Sequence, residues 1–542
     1  MITRKIFLIS QLTNASGNSP AKFYVYDGTN LNEHDAFSNV IKDDAVLISF
    51  DWDNLVTWLS MRAEPLPTKL VDMEQIAKQT YGHKNLVGEA LPWSLWTIVS
   101  DFYKPEENEV FVKTQRVYQG LDTVNDLERS QLYFRLLKAM HEAFVTQISK
   151  LKELQEYDRF KHVERRIREI NLERTYKGIV VDTKNVEDWI EEISHRVYGL
   201  RNELQLKHGV ISPADWKTVM GKIEDKARII DAHYIIEEKG YYFFLKDAQN
   251  RHPLIKLLYE EKKSSTDLNA LLAIGALRPQ HKLIIPVYDS FGTITARTKI
   301  TTPNLQNLSR KYRTIITAEE GKVLVYIDYA QFEAGILADD SNDPLLIEEY
   351  NSKYIYDEVG KRIEISRFLP DVEDQKKFCK SLFYKFSYGM DINQNIQILK
   401  DFNIHQHSSE LSTKIVAAFA AYSKLNEYRS KIGAELALKK KIGTRNGNYR
   451  YQFDNEQRSS WAISQRIQGT ASLVLKKAII ELNNRDKEIE FLIPMHDAAL
   501  FQVPNDLEDQ KKAIIKSVFE STFEAECPSI KAIADFKPFY DI

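Results

Sequence analysis

The sequence predicts a multidomain protein that combines α/β and α+β folds. Its 542 residues exceed the usual size of one domain, and a composition of 43% hydrophobic and 28% charged residues can fill several cores. Near the N-terminus, turn clusters separate short strand-like runs, Ile6–Leu12, Phe23–Tyr26 and Val46–Phe50, which is typical of an α/β domain. Long helices are predicted next, from about Leu127 to Leu154 and again after Asp182, where apolar residues recur at helical spacing.

The formal net charge of −3 argues against a general nucleic-acid binder, because phosphate contacts need clustered Lys and Arg side chains. The basic residues are unevenly distributed, however. Residues 290–318 contain no Asp or Glu, and neither do residues 439–450. Such runs are often ordinary solvated surfaces, and they support nucleic-acid binding only because they flank the motifs described below. Their basic members are Arg297, Lys299, Arg310, Lys311, Arg313, Lys439, Lys440, Lys441, Arg445 and Arg450.

The cysteine content predicts a protein of a reducing compartment, such as the cytoplasm. Cys379 and Cys527 are the only cysteines, which excludes a disulfide framework and a Cys-rich zinc site. The first residues combine basic side chains with an apolar run, as a signal peptide does, but the run is short and we favour a buried strand. No stretch approaches the roughly 18 consecutive apolar residues of a membrane span.

Two aspartates stand at the ends of predicted strands. Asp328 follows the apolar run Val323–Ile327, and Asp497 lies in a tight corner between Phe491–Met495 and Ala498–Val503, a predicted hairpin. Two carboxylates held at one point can bind two metal ions. Taken singly, each has a structural alternative, because an Asp after a strand often caps a helix and a His-Asp pair often marks a turn.

A third segment has the pattern of one helical face. Lys376, Lys380, Tyr384 and Tyr388 recur every four residues, so their side chains stack along the helix. Two cations can neutralise a triphosphate, and a flat ring further along can stack on a base. An amphipathic helix with a lysine-decorated surface and core tyrosines would have the same pattern.

Together, residues 323–333, 376–389 and 494–498 resemble motifs A, B and C of the family A DNA polymerases, in order and spacing. The resemblance extends from Leu283 to the C-terminus and implies a right-hand polymerase with palm, fingers and thumb. By this resemblance, residues 1–150 are an RNase H-like 3′–5′ exonuclease-type domain, 151–282 the thumb, 283–340 the first part of the palm, 341–450 the fingers and 451–542 the second part of the palm.

The resemblance also implies the site residues. Asp328 and Asp497, with the Tyr329 backbone carbonyl, would bind two Mg²⁺ ions, which Mn²⁺ can replace, and Lys380 would act with them in catalysis. Glu333 matches the steric gate that selects dNTPs over rNTPs. Further nucleotide contacts would come from Gln331, Lys376, Lys380, Tyr384 and Tyr388, and DNA contacts from Arg297, Asn304, Gln306, Asn307, Arg445, Gln468 and His496.

Several positions depart from the family pattern. Ala296 replaces a usual Gly, Gly335 replaces a usual Arg, and Tyr356 replaces a His that contacts the triphosphate. Lys376 replaces an Arg, which keeps the charge but loses the bidentate fork. Ala498 replaces a Glu near the primer terminus.

The N-terminal region resembles the exonuclease domain only in part. Its first predicted strand lacks the Asp-x-Glu pair that holds two metals, and Leu47 stands where an Asn precedes Asp51. Asp122 or Asp126 is a candidate remnant of a third motif. We therefore expect an inactive exonuclease fold.

The sequence thus predicts a DNA-directed DNA polymerase that acts on primer-template DNA and dNTPs. The expected setting is phage or mobile-element replication in a host cytoplasm, with a helicase-primase or processivity factor as a possible partner. Two alternatives stay open, a single-subunit RNA polymerase-like enzyme and a catalytically impaired DNA-binding descendant. Glu333 and the segment Gln468–Ala471 favour DNA synthesis over RNA synthesis.

Overall fold

A computed structural model describes residues 4–11, 21–41, 44–82, 93–222, 236–237, 240–249, 252–276, 282–352, 354–389, 398–399, 402, 404, 408–444, 446–453 and 460–540. The chain forms two compact units. The first contains Met1–Lys177, Tyr288–Lys299 and Val325–Lys537, and the second contains Gly178–Val287, Ile300–Leu324 and Pro538–Ile542.

A five-stranded sheet of order β3-β2-β1-β4-β5 opens the first unit. The predicted strands are present. Strands β1 and β2 pair antiparallel, as do β2 and β3, whereas β4 is parallel to both β1 and β5. The strands are β1 Arg4–Gln11, β2 Lys22–Tyr26, β3 Leu31–His34, β4 Ala45–Ser49 and β5 Leu70–Asp72.

Helices cover both faces of this sheet. Along β1, Ile6 and Leu8 belong to one buried cluster and Phe7 and Ile9 to another, because successive side chains of a strand point to opposite faces. The predicted helix near residues 127–154 is confirmed as α5. The helices are α1 Trp52–Arg62, α2 Met73–Tyr81, α3 Leu95–Val99, α4 Asn108–Tyr118, α5 Asp126–Glu153 and α6 Arg165–Lys177.

The second unit is mainly helical. Its longest helix, α7, starts where the sequence predicts, because the Asp182 side chain accepts a hydrogen bond from Asn185 N at 3.1 Å. It ends at Gly209, whose φ of 63° is left-handed. The elements are β6 Ile179–Val180, α7 Thr183–His208, α8 Trp216–Met220, α9 Tyr241–Ala248, α10 Pro253–Ala276 and β7 Leu283–Ile284.

A four-stranded sheet of order β13-β14-β10-β15 carries both candidate aspartates. The predicted hairpin is confirmed as β13 and β14, and β15 pairs antiparallel with β10 so that Asp535 lies opposite Asp328. The remaining strands are β8 Val287–Asp289, β9 Lys299–Thr302, β10 Lys322–Tyr329, β11 Lys441–Thr444, β12 Gly447–Tyr451, β13 Glu490–Pro494, β14 Ala498–Pro504 and β15 Ala534–Phe536.

The part of the first unit that follows β10 in the chain contains further helices. Lys376, Lys380 and Tyr384 of the predicted helical face lie on α14, and Tyr388 follows the last residue of this helix. The N-terminus of α14 is capped by Asp371, whose side chain accepts a hydrogen bond from Asp374 N at 2.8 Å. The helices are α11 Phe332–Ser341, α12 Pro344–Ser352, α13 Ile355–Arg362, α14 Val372–Ser387, α15 Ser408–Ala420, α16 Ser423–Lys439, α17 Ser460–Arg485 and α18 Glu508–Glu526. In the ranges given above, each helix is too short or too polar to cross a membrane.

A buried ionic cluster joins α17 to the π-helical turn Phe160–Glu164. Glu164 accepts hydrogen bonds from the Arg159 guanidinium at 2.7 Å and from Lys476 Nζ at 2.6 Å. All three side chains are at most 3% exposed. Burial lowers the pKa of Lys476, whereas the Glu164 charge beside it acts in the opposite direction. Each ion therefore depends on its partners, because an unpaired buried charge is costly.

Glu164→Ala is expected to lower the free energy of unfolding by about 3–5 kcal/mol, because it leaves two buried cations without their carboxylate. Urea denaturation, monitored by circular dichroism, would measure this change in the free energy of unfolding. The control is Glu153→Ala, whose ion pair with Lys150 is exposed and is expected to contribute at most about 1 kcal/mol. Equal shifts in the two variants would contradict the expectation.

Candidate active site

Strand β10 delivers Asp328 to the edge of a packed core. Val325, Ile327 and Tyr329 are buried, and Asp328, which alternates with them, points away from that core with 23% of its side chain exposed. The Tyr329 ring stacks on Phe332, and its hydroxyl donates to Phe519 O at 3.0 Å. Because that side chain is fixed in the core, only the backbone of Tyr329 is available to a metal.

The hairpin corner brings Asp497 beside Asp328. Met495 N donates to Ala498 O at 2.8 Å, which closes the corner, and Tyr329 N donates to Asp497 O at 3.0 Å, which fastens it to β10. Ala498 is 1% exposed and opens β14. His496, predicted to contact DNA, is exposed at the same corner.

The environment of Asp497 is suited to a cation. Burial, and then the charges of Glu333 and Asp328, raise the pKa of Asp497 to about 6, while Arg297 and Lys380 act in the opposite direction. Its Oδ1 atom is buried and accepts no hydrogen bond from the described residues, and the Arg297 Nη2 atom is 4.0 Å away. A buried carboxylate oxygen without a donor, next to a second carboxylate, fits a divalent metal ion.

A cavity of about 170 Å³ joins both aspartates to the helix α14. The predicted catalytic Lys380 and the predicted stacking ring of Tyr384 line it. The side chains that matter for the chemistry are Asp328, Asp497, Lys380, Tyr384, Tyr356 and Lys537. The structure therefore brings together Asp328, Lys380, Tyr384 and Asp497, which come from three separate segments.

Glu333, predicted as the sugar gate, is fixed from two sides. The Arg297 guanidinium donates to its Oε1 at 2.9 Å, and the Tyr388 hydroxyl donates to its Oε2. Burial, and then the Glu333 charge, raise the pKa of Tyr388 well above its usual value, so the hydroxyl stays a donor. Glu333 thus presents a held carboxylate on the first turn of α11.

Tyr356 contacts the predicted nucleotide site through Tyr384. Its hydroxyl donates to the Tyr384 hydroxyl at 2.9 Å, and burial raises the pKa of Tyr356 to about 12. The Tyr384 and Tyr388 rings are nearly parallel, with centroids 6.1 Å apart. Tyr356, which the resemblance matches to a histidine of the family, thus lines the cavity with a neutral hydroxyl that is bonded to Tyr384.

Lys376 does not reach this cavity. It is 57% exposed, forms an ion pair with Glu373 at 3.4 Å and lines a separate cavity of about 640 Å³. A spacing of four residues drifts around a helix axis by about 40° per step, so the first residue of the series faces away from the last. Of the predicted face, Lys380 and Tyr384 line the cavity that contains the two aspartates.

Gln331 lines the cavity but uses its side chain as a helix cap. Its Oε1 atom accepts a hydrogen bond from Ile355 N at 2.8 Å, at the start of α13, and its own φ is a left-handed 51°. The residue thus connects the end of β10 to the helix that carries Tyr356. Its predicted nucleotide contact stays a prediction.

Two departures from the family pattern have local explanations. Ala296 has a φ of 60°, where Gly is the least strained residue, and Ser472 Oγ donates to its carbonyl at 2.6 Å. A Cβ on Gly335 would lie 2.7 Å from the Tyr350 ring, so a side chain there would clash. Tyr350 therefore fills the space beside Gly335.

Another predicted DNA contact of the first unit lies on α17. Gln468 is half-buried on this helix, and Gly469 next to it lets the β11–β12 hairpin approach, since a Cβ there would lie 2.7 Å from Thr444 Cγ2. Arg445, also predicted to contact DNA, lies outside the described residues.

Asn304, Gln306 and Asn307 belong to the second unit. The Asn304 side chain accepts from Asn307 N at 3.3 Å, and Gln306 Oε1 accepts from Ile300 N at 2.9 Å. This is the self-capped turn expected of Asn-rich segments. These contacts use the Asn304 and Gln306 acceptors to shape the loop.

Lys537 was not found by sequence reasoning. Its ammonium group forms an ion pair with Asp328 and lines the same cavity. No local motif marks it, and only the pairing of β15 with β10 could have indicated its position.

In the N-terminal region, the candidate exonuclease carboxylates have different partners. Burial raises the pKa of Asp51, which accepts a hydrogen bond from Asn54 at 3.1 Å. Asp122 forms an exposed pair with Arg116 at 2.7 Å, and Asp126 one with Arg129 at 3.0 Å. In the part of the chain that the structure describes, no three His, Cys, Asp or Glu side chains cluster to hold a metal.

Comparison with known proteins identifies the family of the chain. The family model of DNA polymerase family A matches residues 158–533. DNA polymerase I of Borreliella burgdorferi is 26% identical over 353 residues, which are 54% of this chain and 38% of that protein. DNA polymerase I of Caldicellulosiruptor bescii is 23% identical over 425 residues, which are 70% of this chain and 47% of that protein. The chain thus spans less than half the length of these two relatives.

Among solved structures, the POL domain of Pol1 from M. smegmatis, in complex with DNA primer-template and dNTP, matches with a TM-score of 0.75 and 16% identity. The match covers 98% of this chain and 95% of that one, and it shows a shared fold. Because the family model matches well over half of its residues, the chain belongs to DNA polymerase family A.

Proposed function

We propose that the chain is a DNA-directed DNA polymerase that extends a primer with dNTPs, using two divalent metal ions held by Asp328 and Asp497. One observation carries the proposal. Asp328 lies on β10 and Asp497 in the β13–β14 corner, the Tyr329–Asp497 hydrogen bond fastens the two segments, and both aspartates share a cavity with Lys380. Mg²⁺ is the expected ion, because carboxylate and backbone carbonyl oxygens suit it.

When bound, the metal ions would activate the primer hydroxyl and neutralise the charge on the transferred phosphoryl group. The protein's own groups have distinct tasks. Lys380 supplies positive charge for the triphosphate, and the ring of Tyr384 offers a surface on which a base can stack. Arg297 and Tyr388 hold Glu333 in place. A held carboxylate beneath the sugar would exclude a 2′-hydroxyl, which favours dNTPs and argues against an RNA polymerase.

We propose further that the N-terminal sheet is an exonuclease-type domain without activity. The strand order 3-2-1-4-5 with an antiparallel second strand supports the fold, and the absence of any carboxylate in Arg4–Gln11 supports the loss of activity. The boundaries of thumb, palm and fingers, the phage setting and the replication partners stay predictions of the sequence.

Primer extension on a recessed duplex with Mg²⁺ tests the main proposal. Wild-type protein is expected to copy the template with dNTPs and to use rNTPs poorly, and Asp497→Asn is expected to lower the rate by about a thousandfold, because it removes a metal-binding charge. Gel analysis of labelled primers would measure both. Extension by wild type that Asp497→Asn leaves intact would contradict the site, and efficient rNTP use would favour the RNA polymerase alternative.

The two lysines of α14 are expected to differ. Lys380→Ala should lower kcat/KM for dNTPs by about 10²–10³-fold, because Lys380 lies in the cavity with the aspartates. Lys376→Ala should cost less than about tenfold, because Lys376 is exposed and paired with Glu373. Steady-state kinetics at varied dNTP concentrations would measure the loss of kcat/KM in each variant. Equal losses would mean that α14 turns or moves before catalysis.

The purified protein is expected to leave a mismatched 3′ terminus intact when dNTPs are withheld. The physical reason is that a two-metal nuclease needs a carboxylate pair that β1 lacks. Denaturing gels of a labelled mismatched primer would detect removal of the terminal nucleotide. Cleavage that Asp51→Ala abolishes would overturn the proposal that the domain is inactive.

A further inference from the structure

Lys537 is positioned by the pairing of the edge strand β15 with β10. Its backbone N donates to Tyr326 O at 3.0 Å, which continues the ladder one residue beyond the end of β15. In this register, Lys537 lies diagonally across from Asp328. Diagonal neighbours in an antiparallel pair are within reach of long side chains. The sheet therefore directs the Lys537 side chain toward Asp328.

The ammonium group of Lys537 forms an ion pair with Asp328 Oδ2. It also lines the cavity that contains Asp497, Lys380 and Tyr384. The side chain of Lys537 is 46% exposed and that of Asp328 is 23% exposed. The lysine is thus anchored by its backbone, while its charged end has room to move into solvent.

A divalent cation and an ammonium group would compete for the same oxygen. Both are attracted to the Asp328 carboxylate, and two positive charges at one carboxylate repel each other. The Lys537 charge therefore opposes a metal that binds Asp328, and this repulsion falls when the ammonium group is displaced into solvent. After displacement, the lysine stays tethered next to the cavity by its backbone hydrogen bond.

We propose that Lys537 is a positioning residue that acts as the resident counterion of Asp328 and sets the cation concentration at which the site fills. The proposal rests on the proposed function, because that function makes Asp328 a metal ligand. Lys537 holds the Asp328 carboxylate toward the cavity before the metal binds. It also weakens metal binding by the free enzyme.

The same sheet offers a matched control. Lys516 on α18 pairs with Asp535 at 3.9 Å, and Asp535 is the register partner of Asp328. Lys516 is 43% exposed, close to the value for Lys537. Lys516 therefore has a similar carboxylate partner and a similar exposure, but it does not line the cavity.

The test is Mn²⁺ binding to the full-length, metal-free protein without DNA or nucleotide, measured from the free Mn²⁺ signal in electron paramagnetic resonance. Lys537→Met is expected to bind Mn²⁺ about tenfold more tightly than wild type, since a unit charge next to a dication changes affinity by about that factor. Lys537→Arg and Lys516→Met should stay within about twofold of wild type, because the charge at Asp328 is kept.

A double-mutant cycle makes the test specific. In an Asp328→Asn background, Lys537→Met should no longer change the Mn²⁺ affinity, because its partner is gone. Circular dichroism melting curves would verify that each variant is folded. Lys537→Ala serves as the second variant if Lys537→Met does not fold. Equal affinities of wild type, Lys537→Met and Lys537→Ala would overturn the proposal, and so would a shift that Lys516→Met reproduces.

Primer extension by the wild type separates this proposal from the proposed function. Extension without a Lys537-dependent shift in Mn²⁺ affinity would reject the counterion role alone. A Lys537-dependent shift without any extension would reject the polymerase proposal and leave the counterion role standing.

Discussion

The backbone hydrogen bond from Tyr329 N to Asp497 O, 3.0 Å long, joins the two segments that carry the candidate metal ligands. Asp328 immediately precedes Tyr329, so the distance between the two carboxylates is set mainly by main-chain pairing rather than by flexible side chains. The Tyr329 ring, stacked on Phe332 and bonded to Phe519 O, prevents the strand from sliding. A site held in this way by buried strands meets the positional demands of catalysis better than one on a loop.

The charges around these aspartates are paired unequally. Glu333 is bound by Arg297 and Tyr388, and Asp328 is bound by Lys537. Asp497 keeps a buried oxygen that accepts no hydrogen bond from the described residues, and its pKa is raised to about 6. Compared with the carboxylates of Glu333 and Asp328, this oxygen would gain the most free energy from a bound cation, because it is shielded from water and has no hydrogen-bond donor among the described residues.

Much of the fold and part of the site could be predicted from the sequence. Strand β10, the β13–β14 hairpin and α14 follow from local patterns of apolar residues. Gln331 and Asn304 show the limit, because a polar side chain predicted to bind a ligand can equally cap a backbone. Lys537 lies 209 residues from Asp328, and their contact depends on the pairing of a three-residue edge strand, for which the sequence has no local signal.

The departures from the family pattern bear on whether this site still acts. Gly335 is matched by the Tyr350 ring, and strained Ala296 is held by Ser472, so both have structural partners. Ala498 is different, because it lacks a carboxylate near a site to which Lys537 contributes a positive charge. The missing carboxylate at Ala498 and the positive charge of Lys537 both lower the affinity of the site for cations. Yet Asp497 keeps one buried oxygen that accepts no hydrogen bond from the described residues, at a cost to folding that a bound cation would relieve. A protein that merely bound DNA would be more stable with an uncharged residue there, which supports the proposed metal site.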